Sequence, residues 1–173
     1  MDRRNAVKNL VVAYGGLITL PFWMQACGIS DQQTHPSSFS AEEQGLLAKI
    51  TDTIIPAGNS IGALTAGVDR FLQKIIDDCY EKPVQENVKK QLHGLEDSAK
   101  KEFGSSFISC SQKQRKELLE KWAVSADKSQ KDFFDLMRSE TIHGFTTSQE
   151  VLEKYLDYKI APGHYFGCVN LNA

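Results

Sequence analysis

The 173-residue sequence has no excess of positive charge, since 20 lysines and arginines face 22 aspartates and glutamates. A chain so balanced has nothing with which to neutralise a phosphate backbone, which excludes a basic nucleic-acid binder. Its 12 glycines and 5 prolines are too few for a collagen or a low-complexity tail. No unbroken stretch of about 20 predominantly apolar residues occurs, which excludes a polytopic membrane protein. No repeat with a period of roughly 20–50 residues is present, which excludes a solenoid. The motifs that carry chemistry are missing as well. There is no glycine-rich nucleotide loop, no Cys-x-x-Cys, no Cys-x-x-Cys-His haem attachment and no His-Glu-x-x-His zinc helix. No serine or cysteine stands in a nucleophile motif. By residue chemistry alone the chain reads as a non-enzyme: no catalytic, cofactor-binding or metal residue is assigned.

What is present is an apolar fraction of 41% with 24% charged residues, the composition of one globular domain. Only the N-terminus departs from it. Met1 to Lys8 is short and basic through Arg3, Arg4 and Lys8, and Leu10 to Ala26 follows without a charge. A charged start, an apolar stretch and a small residue before the break are the parts of a secretory signal. The paired arginines ahead of a mildly apolar segment resemble a twin-arginine signal, the type that exports folded proteins. Asp2 and Ala6 depart from that pattern.

Cys27 after Ala26 resembles a lipoprotein cleavage site, with Met24 in place of the usual aliphatic residue. Two outcomes stay open: Cys27 becomes a lipidated first residue, or the segment is retained as an uncleaved anchor. Setting aside Arg3, Arg4, Lys8 and Asp2 leaves 17 basic against 21 acidic side chains. The expected organisation is a signal segment over 1–26, a lipidation candidate and polar tether over 27–39, and one helical domain over 40–173. A periplasmic, membrane-associated location follows from that reading.

The rest of the chain predicts helices. Ser40 and Glu43 form a capping box that opens a helix ended by Pro56. Residues 57–67 are small and glycine-rich. Val68, Phe71, Leu72, Ile75, Ile76 and Cys79 then lie on one helical stripe, where a buried free thiol is expected at Cys79. A longer helix starts near Pro83, with Val84, Val88, Leu92, Leu95, Ala99 and Phe103 on its inner face and Gly104 as its cap. Ser111 and Gln114 form a second capping box before Leu118, Leu119 and Trp122. Phe133, Phe134, Leu136, Met137 and Ile142 mark the next helix, expected to close near Gly144. Thr147 to Glu150 can cap a last short helix through Tyr155. The residues from Asp157 on have no helical period, and no stretch alternates at period two over about six residues. The fold class is all-α, a small irregular bundle of about five to six helices with a coil C-terminal tail.

The polar residues carry little functional signal. His35 and His93 read as solvent-facing, and Asp77-Asp78, Lys89-Lys90 and Lys100-Lys101 as solvated helix faces. His143 and His164 lack a carboxylate at a fixed spacing and make a poor zinc pattern. Lipidation of Cys27 would leave Cys79, Cys110 and Cys168, an odd number in an oxidising compartment. Cys168, beside Gly167, is the candidate for a disulfide to another chain; the pairings Cys110–Cys168 and Cys79–Cys110 within the chain compete with it.

Two sets of residues carry a wider resemblance. Thr51-Asp52-Thr53-Ile54-Ile55-Pro56-Ala57 followed by Gly62-Ala63-Leu64-Thr65-Ala66-Gly67-Val68 resembles the opening of the gluconate 2-dehydrogenase subunit 3 family. Phe133-Phe134-Asp135-Leu136-Met137-Arg138, Gly144-Phe145-Thr146-Thr147-Ser148, Pro162-Gly163 and Gly167-Cys168-Val169 resemble its close. The resemblance spans about residues 40–171 and is weakest over 80–130.

It implies a non-catalytic small subunit of a membrane-associated dehydrogenase oxidising sugars, sugar acids or polyols. FAD would lie in a separate large subunit of the glucose-methanol-choline oxidoreductase (GMC) type, and in several such complexes a haem c subunit takes the electrons. The small subunit would supply the twin-arginine signal and stabilise its partner. The expected contact face is the Thr51–Val68 segment with Thr53, Pro56 and Leu64, together with the tail from Gly144 onward with Tyr165 and Phe166. The alternative for Tyr165 and Phe166 is that they close this domain's own core. The alternative for the whole chain is a free-standing helical envelope lipoprotein with a binding or scaffolding role.

Overall fold

Six helices, and no strand, are present among the residues that the computed structural model describes, which are 37–159, 161 and 163. They are α1 (Ala41–Ile54), α2 (Val68–Cys79), α3 (Lys82–Phe103), α4 (Gln112–Ala123), α5 (Lys128–Thr146) and α6 (Gln149–Tyr155). The all-α class therefore holds. Helix α5 packs against each of the other five, and α1 against α2 to α5, so these two helices form the axis of the bundle. Helix α6 is a short appendage on α5. No helix among the described residues is long and apolar enough to cross a membrane.

The helix ends obey local chemistry. At α1 the Ser40 hydroxyl accepts the Glu43 amide at 3.3 Å, and the Glu43 carboxylate accepts the Ser40 amide at 2.7 Å. Ser111 and Gln114 repeat the arrangement at α4. Each box satisfies two otherwise orphaned amides. Gly104 ends α3 with φ +69°, a left-handed conformation that costs a side-chain-bearing residue more than glycine. Helix α5 runs on to Thr146, past the expected stop at Gly144. That glycine serves packing instead: a Cβ there would lie 2.4 Å from Phe71 Cδ1, so its absence lets α5 close on the α2 ring.

The core is aliphatic and aromatic side chains from every layer. Leu46, Leu47 and Ile50 of α1 meet Val68, Leu72 and Ile76 of α2, Leu92 and Leu95 of α3, Leu118 of α4 and Met137 of α5, all sealed from solvent. Trp122 and Phe133 meet edge to face with ring centroids 5.7 Å apart.

Two loop residues join this core. Phe107, between α3 and α4, is fully buried. Phe39 is also buried and the packed unit begins at Ser37, so residues 37–39, assigned to the tether, belong to the helical domain. Charged groups fix this edge. Asp77 accepts the Ser38 amide at 2.9 Å and the Ser38 hydroxyl, while Lys89 donates to the Ser38 carbonyl at 2.8 Å and lies over the Phe39 ring. Asp77 and Lys89 therefore clamp this edge while remaining in contact with solvent.

Glu96 clamps the α3–α4 loop in the same way. Its carboxylate accepts the Phe107 amide at 2.9 Å and the Ser106 hydroxyl at 3.1 Å, with Lys100 Nζ at 3.2 Å. Burial pushes this carboxyl up, but the Phe107, Ser106 and Lys100 donors outweigh it and hold it below the ordinary glutamate value of 4.5. A carboxyl depressed in the folded state adds stability above the unfolded pKa and loses it as pH falls through the folded pKa. Thermal melts of wild type should therefore lose ground as the pH drops below 4.5, and Glu96→Gln should melt lower at neutral pH with a flatter acid limb. Parallel acid limbs for the two proteins would refute this role.

Candidate functional site

The segment after α1 folds into a pinched loop. Pro56 ends the helix, residues 56–60 are exposed, and the Ala63 amide returns to the Ile55 carbonyl at 2.9 Å. The two strands of the pinch touch at Gly62. A Cβ there would lie 2.4 Å from the Ala57 nitrogen and 2.9 Å from the Pro56 carbonyl carbon. Backbone atoms of a hydrogen-bonded loop have little room to yield. Gly62→Ala should therefore cost about 1–3 kcal/mol by overpacking. Gly58→Ala, in the same loop with open space around it, should melt like wild type. Equal melting temperatures for both variants would contradict the pinch.

A buried arginine anchors the base of this loop. Arg115 of α4 donates through Nε to Thr53 Oγ1 at 2.9 Å, through Nη1 to the Cys110 carbonyl at 2.9 Å and through Nη2 to Asp52 Oδ2 at 3.0 Å. Its side chain is 8% exposed, while that of Asp52 keeps 26%. Thr53, expected at a partner face, is thus buried, and its hydroxyl also donates to the Lys49 carbonyl at 2.6 Å. Arg115 gave no sequence signal, because Gln-Lys-Gln-Arg-Lys-Glu looks like any solvated helix start.

Next to this anchor runs an open groove of about 330 Å³ between α1, α4 and α5. Ile54, Ile55, Leu119 and Phe134 line it, with Ile142 exposed at one edge. Its rim carries Lys116, Glu120 and Arg138. The groove brings together Thr53-Ile54-Ile55 and Phe134 with Arg138, two of the stretches on which the family resemblance rests. Pro56 and Leu64 are both exposed on the loop.

A second polar cluster joins α2 to α5. Tyr80 donates to Glu140 Oε1 at 2.8 Å, and His143 Nδ1 lies 3.3 Å from Glu140 Oε2. Burial, then the hydrogen bond to Glu140, pushes the Tyr80 phenol up to about 12, so it stays a donor at any ordinary pH. His143 also meets the Phe71 ring edge to face at 5.6 Å. His93 remains largely exposed, 3.3 Å from Glu43. No group of three or more His, Cys, Asp or Glu that could hold a metal occurs among the described residues.

The cysteines differ from expectation. Cys79 ends the α2 stripe exposed, because Ile76 is the last residue of the stripe that reaches the core, and Cys110 is the buried thiol, 3.5 Å from the Ser105 hydroxyl. Arg3, Arg4, Lys8, Cys27, His35, His164, Tyr165, Phe166 and Cys168 lie outside the described residues.

Comparison with curated proteins and with solved structures gives no match. The family described as gluconate 2-dehydrogenase subunit 3 matches residues 41–163, from the first residue of α1 to beyond the end of α6. With most of its length matched, the chain belongs to the gluconate 2-dehydrogenase subunit 3 family.

Proposed function

We propose that this chain is the non-catalytic small subunit of a periplasmic, membrane-associated, FAD-dependent dehydrogenase that oxidises sugars, sugar acids or polyols. The observation that carries the reading is the family match over residues 41–163, since the family is defined as one subunit of a dehydrogenase. In this reading FAD resides in a large subunit of the GMC type, and a haem c subunit receives the electrons where the complex has one. The small subunit stabilises the flavoprotein and supplies the export signal through Arg3 and Arg4. The paired arginines support the export role because a folded flavoprotein needs a pathway for folded cargo.

Changing Arg3 and Arg4 together to lysine tests this. The expected result is that both the small chain and the flavoprotein stay in the cytoplasm, with dehydrogenase activity missing from the periplasmic fraction. A flavoprotein that still reaches the periplasm would overturn the export role.

A further inference from the structure

We infer that the groove between α1, α4 and α5 is the seat of a large-subunit segment that inserts a bulky apolar side chain beside an aspartate or glutamate. The inference rests on the proposed role as a dehydrogenase subunit and names the surface that serves it. The first observation is apolar exposure. Ile142 keeps 43% of its surface on a helix whose other residues Phe133, Met137 and Thr141 are buried, and it stands at the edge of a floor made of Ile54, Ile55, Leu119 and Phe134. Such a floor, open to solvent and rimmed by polar groups, is the form of a protein-docking surface rather than of a closed small-molecule pocket.

The second observation is charge. Arg138 makes no hydrogen bond or ion pair with any described residue. Among the described residues Lys116 has only Glu120, at 3.7 Å, with both side chains about two-thirds exposed. Asp52, close by, is already engaged by Arg115. The rim is thus positive on a chain that is acidic overall. A guanidinium beside an apolar floor is suited to a carboxylate, which it can bind through two parallel hydrogen bonds.

The same charge argues against other occupants. Residues 160–173 of this chain contain no aspartate or glutamate side chain to match Arg138, and in residues 1–36 the only acidic groups are Asp2, beside Arg3 and Arg4, and Asp31, between the polar Ser30 and Gln32. A two-fold contact with a second copy would bring the cationic rim of one molecule towards that of the other, which is unfavourable. A partner presenting an apolar anchor with an acidic neighbour satisfies both features at once.

The test uses the full-length chain, affinity-tagged and expressed in its own host, with a photo-crosslinking benzoylphenylalanine at position 142. Irradiation of the intact complex should join position 142 to a large-subunit peptide that contains an aspartate or glutamate beside a bulky apolar residue. Independently, Arg138→Glu should leave thermal melting unchanged, and Ile142→Asp, at a position 43% exposed, should lower it only slightly while the chain stays folded at the assay temperature. Each should lower retention of the large subunit about 30-fold, because Ile142→Asp sets a charge against the apolar anchor and Arg138→Glu turns an attraction for a carboxylate into a repulsion. A crosslink to a second copy, to residues 1–36 or to residues 160–173, or variants that retain the large subunit like wild type, would overturn the groove assignment while leaving the subunit role intact. A wild-type chain that retains no flavoprotein would overturn both.

Discussion

Replacing Arg115 with methionine should lower the stability of the domain by about 3 kcal/mol, the lower end for breaking a buried ion pair. The size follows from what one guanidinium holds. It joins α4 to the end of α1 through Thr53 and Asp52, and to the α3–α4 loop through the Cys110 carbonyl. Methionine keeps the volume but supplies no donor, so a carbonyl and a carboxylate lose a partner they cannot replace internally. Asp52 retains contact with water, which places the loss at the lower end of the range. The melting temperature should fall by roughly 10 °C. Arg115→Lys should recover only part of this, because an ammonium cannot span three acceptors in a fork. A methionine variant within 2 °C of wild type, taken as about 0.5 kcal/mol, would show that the network contributes little.

An effect at least as large is expected at Phe107. This side chain is completely buried although it belongs to the α3–α4 loop. Truncation to alanine removes its apolar contacts and leaves a cavity that helices on several sides cannot fill, at a cost of about 3–5 kcal/mol. The amide bond to Glu96 needs no side chain and should survive, so the loop would keep its anchor and lose its plug. Val124→Ala, at a residue 84% exposed, gives the control and should be near neutral. Equal urea midpoints for the Phe107 and Val124 variants would contradict the core assignment.

Both residues show where the fold was hidden in the sequence. Helices α1, α3 and α4 were legible because caps and stripes are local: Ser40 with Glu43, Ser111 with Gln114, and Gly104 each act within one turn. Phe107 and Phe39 lie outside any helical period, so no pattern marks them as core. Arg115 sits among charged neighbours, and only tertiary packing brings Thr53 and Asp52 to it across more than sixty residues of sequence. Cys79 keeps the period of the α2 stripe but is its final residue, beyond the last core contact at Ile76, and the thiol expected to be buried there is exposed.

The groove itself was legible in part. The Thr51–Val68 segment does supply one wall of the groove and the exposed loop with Pro56 and Leu64. The opposite wall was not: Phe134 and Ile142 of α5 follow a core-facing helix pattern, and Arg138 has no local feature that marks it out. A stripe of apolar residues has the same period whether it meets its own core or another chain. Here only the exposure of Ile142 and an Arg138 without a partner among the described residues separate the two.

The central claim is that this chain works as a subunit of a flavin dehydrogenase, and purification from the membranes of its host under native conditions tests it most directly. The tagged chain should emerge in one stoichiometric complex with a larger protein. That complex should show the absorbance of bound flavin and reduce an artificial electron acceptor when given a sugar, sugar acid or polyol. A chain that emerges alone, or with partners that carry no flavin, would contradict the account.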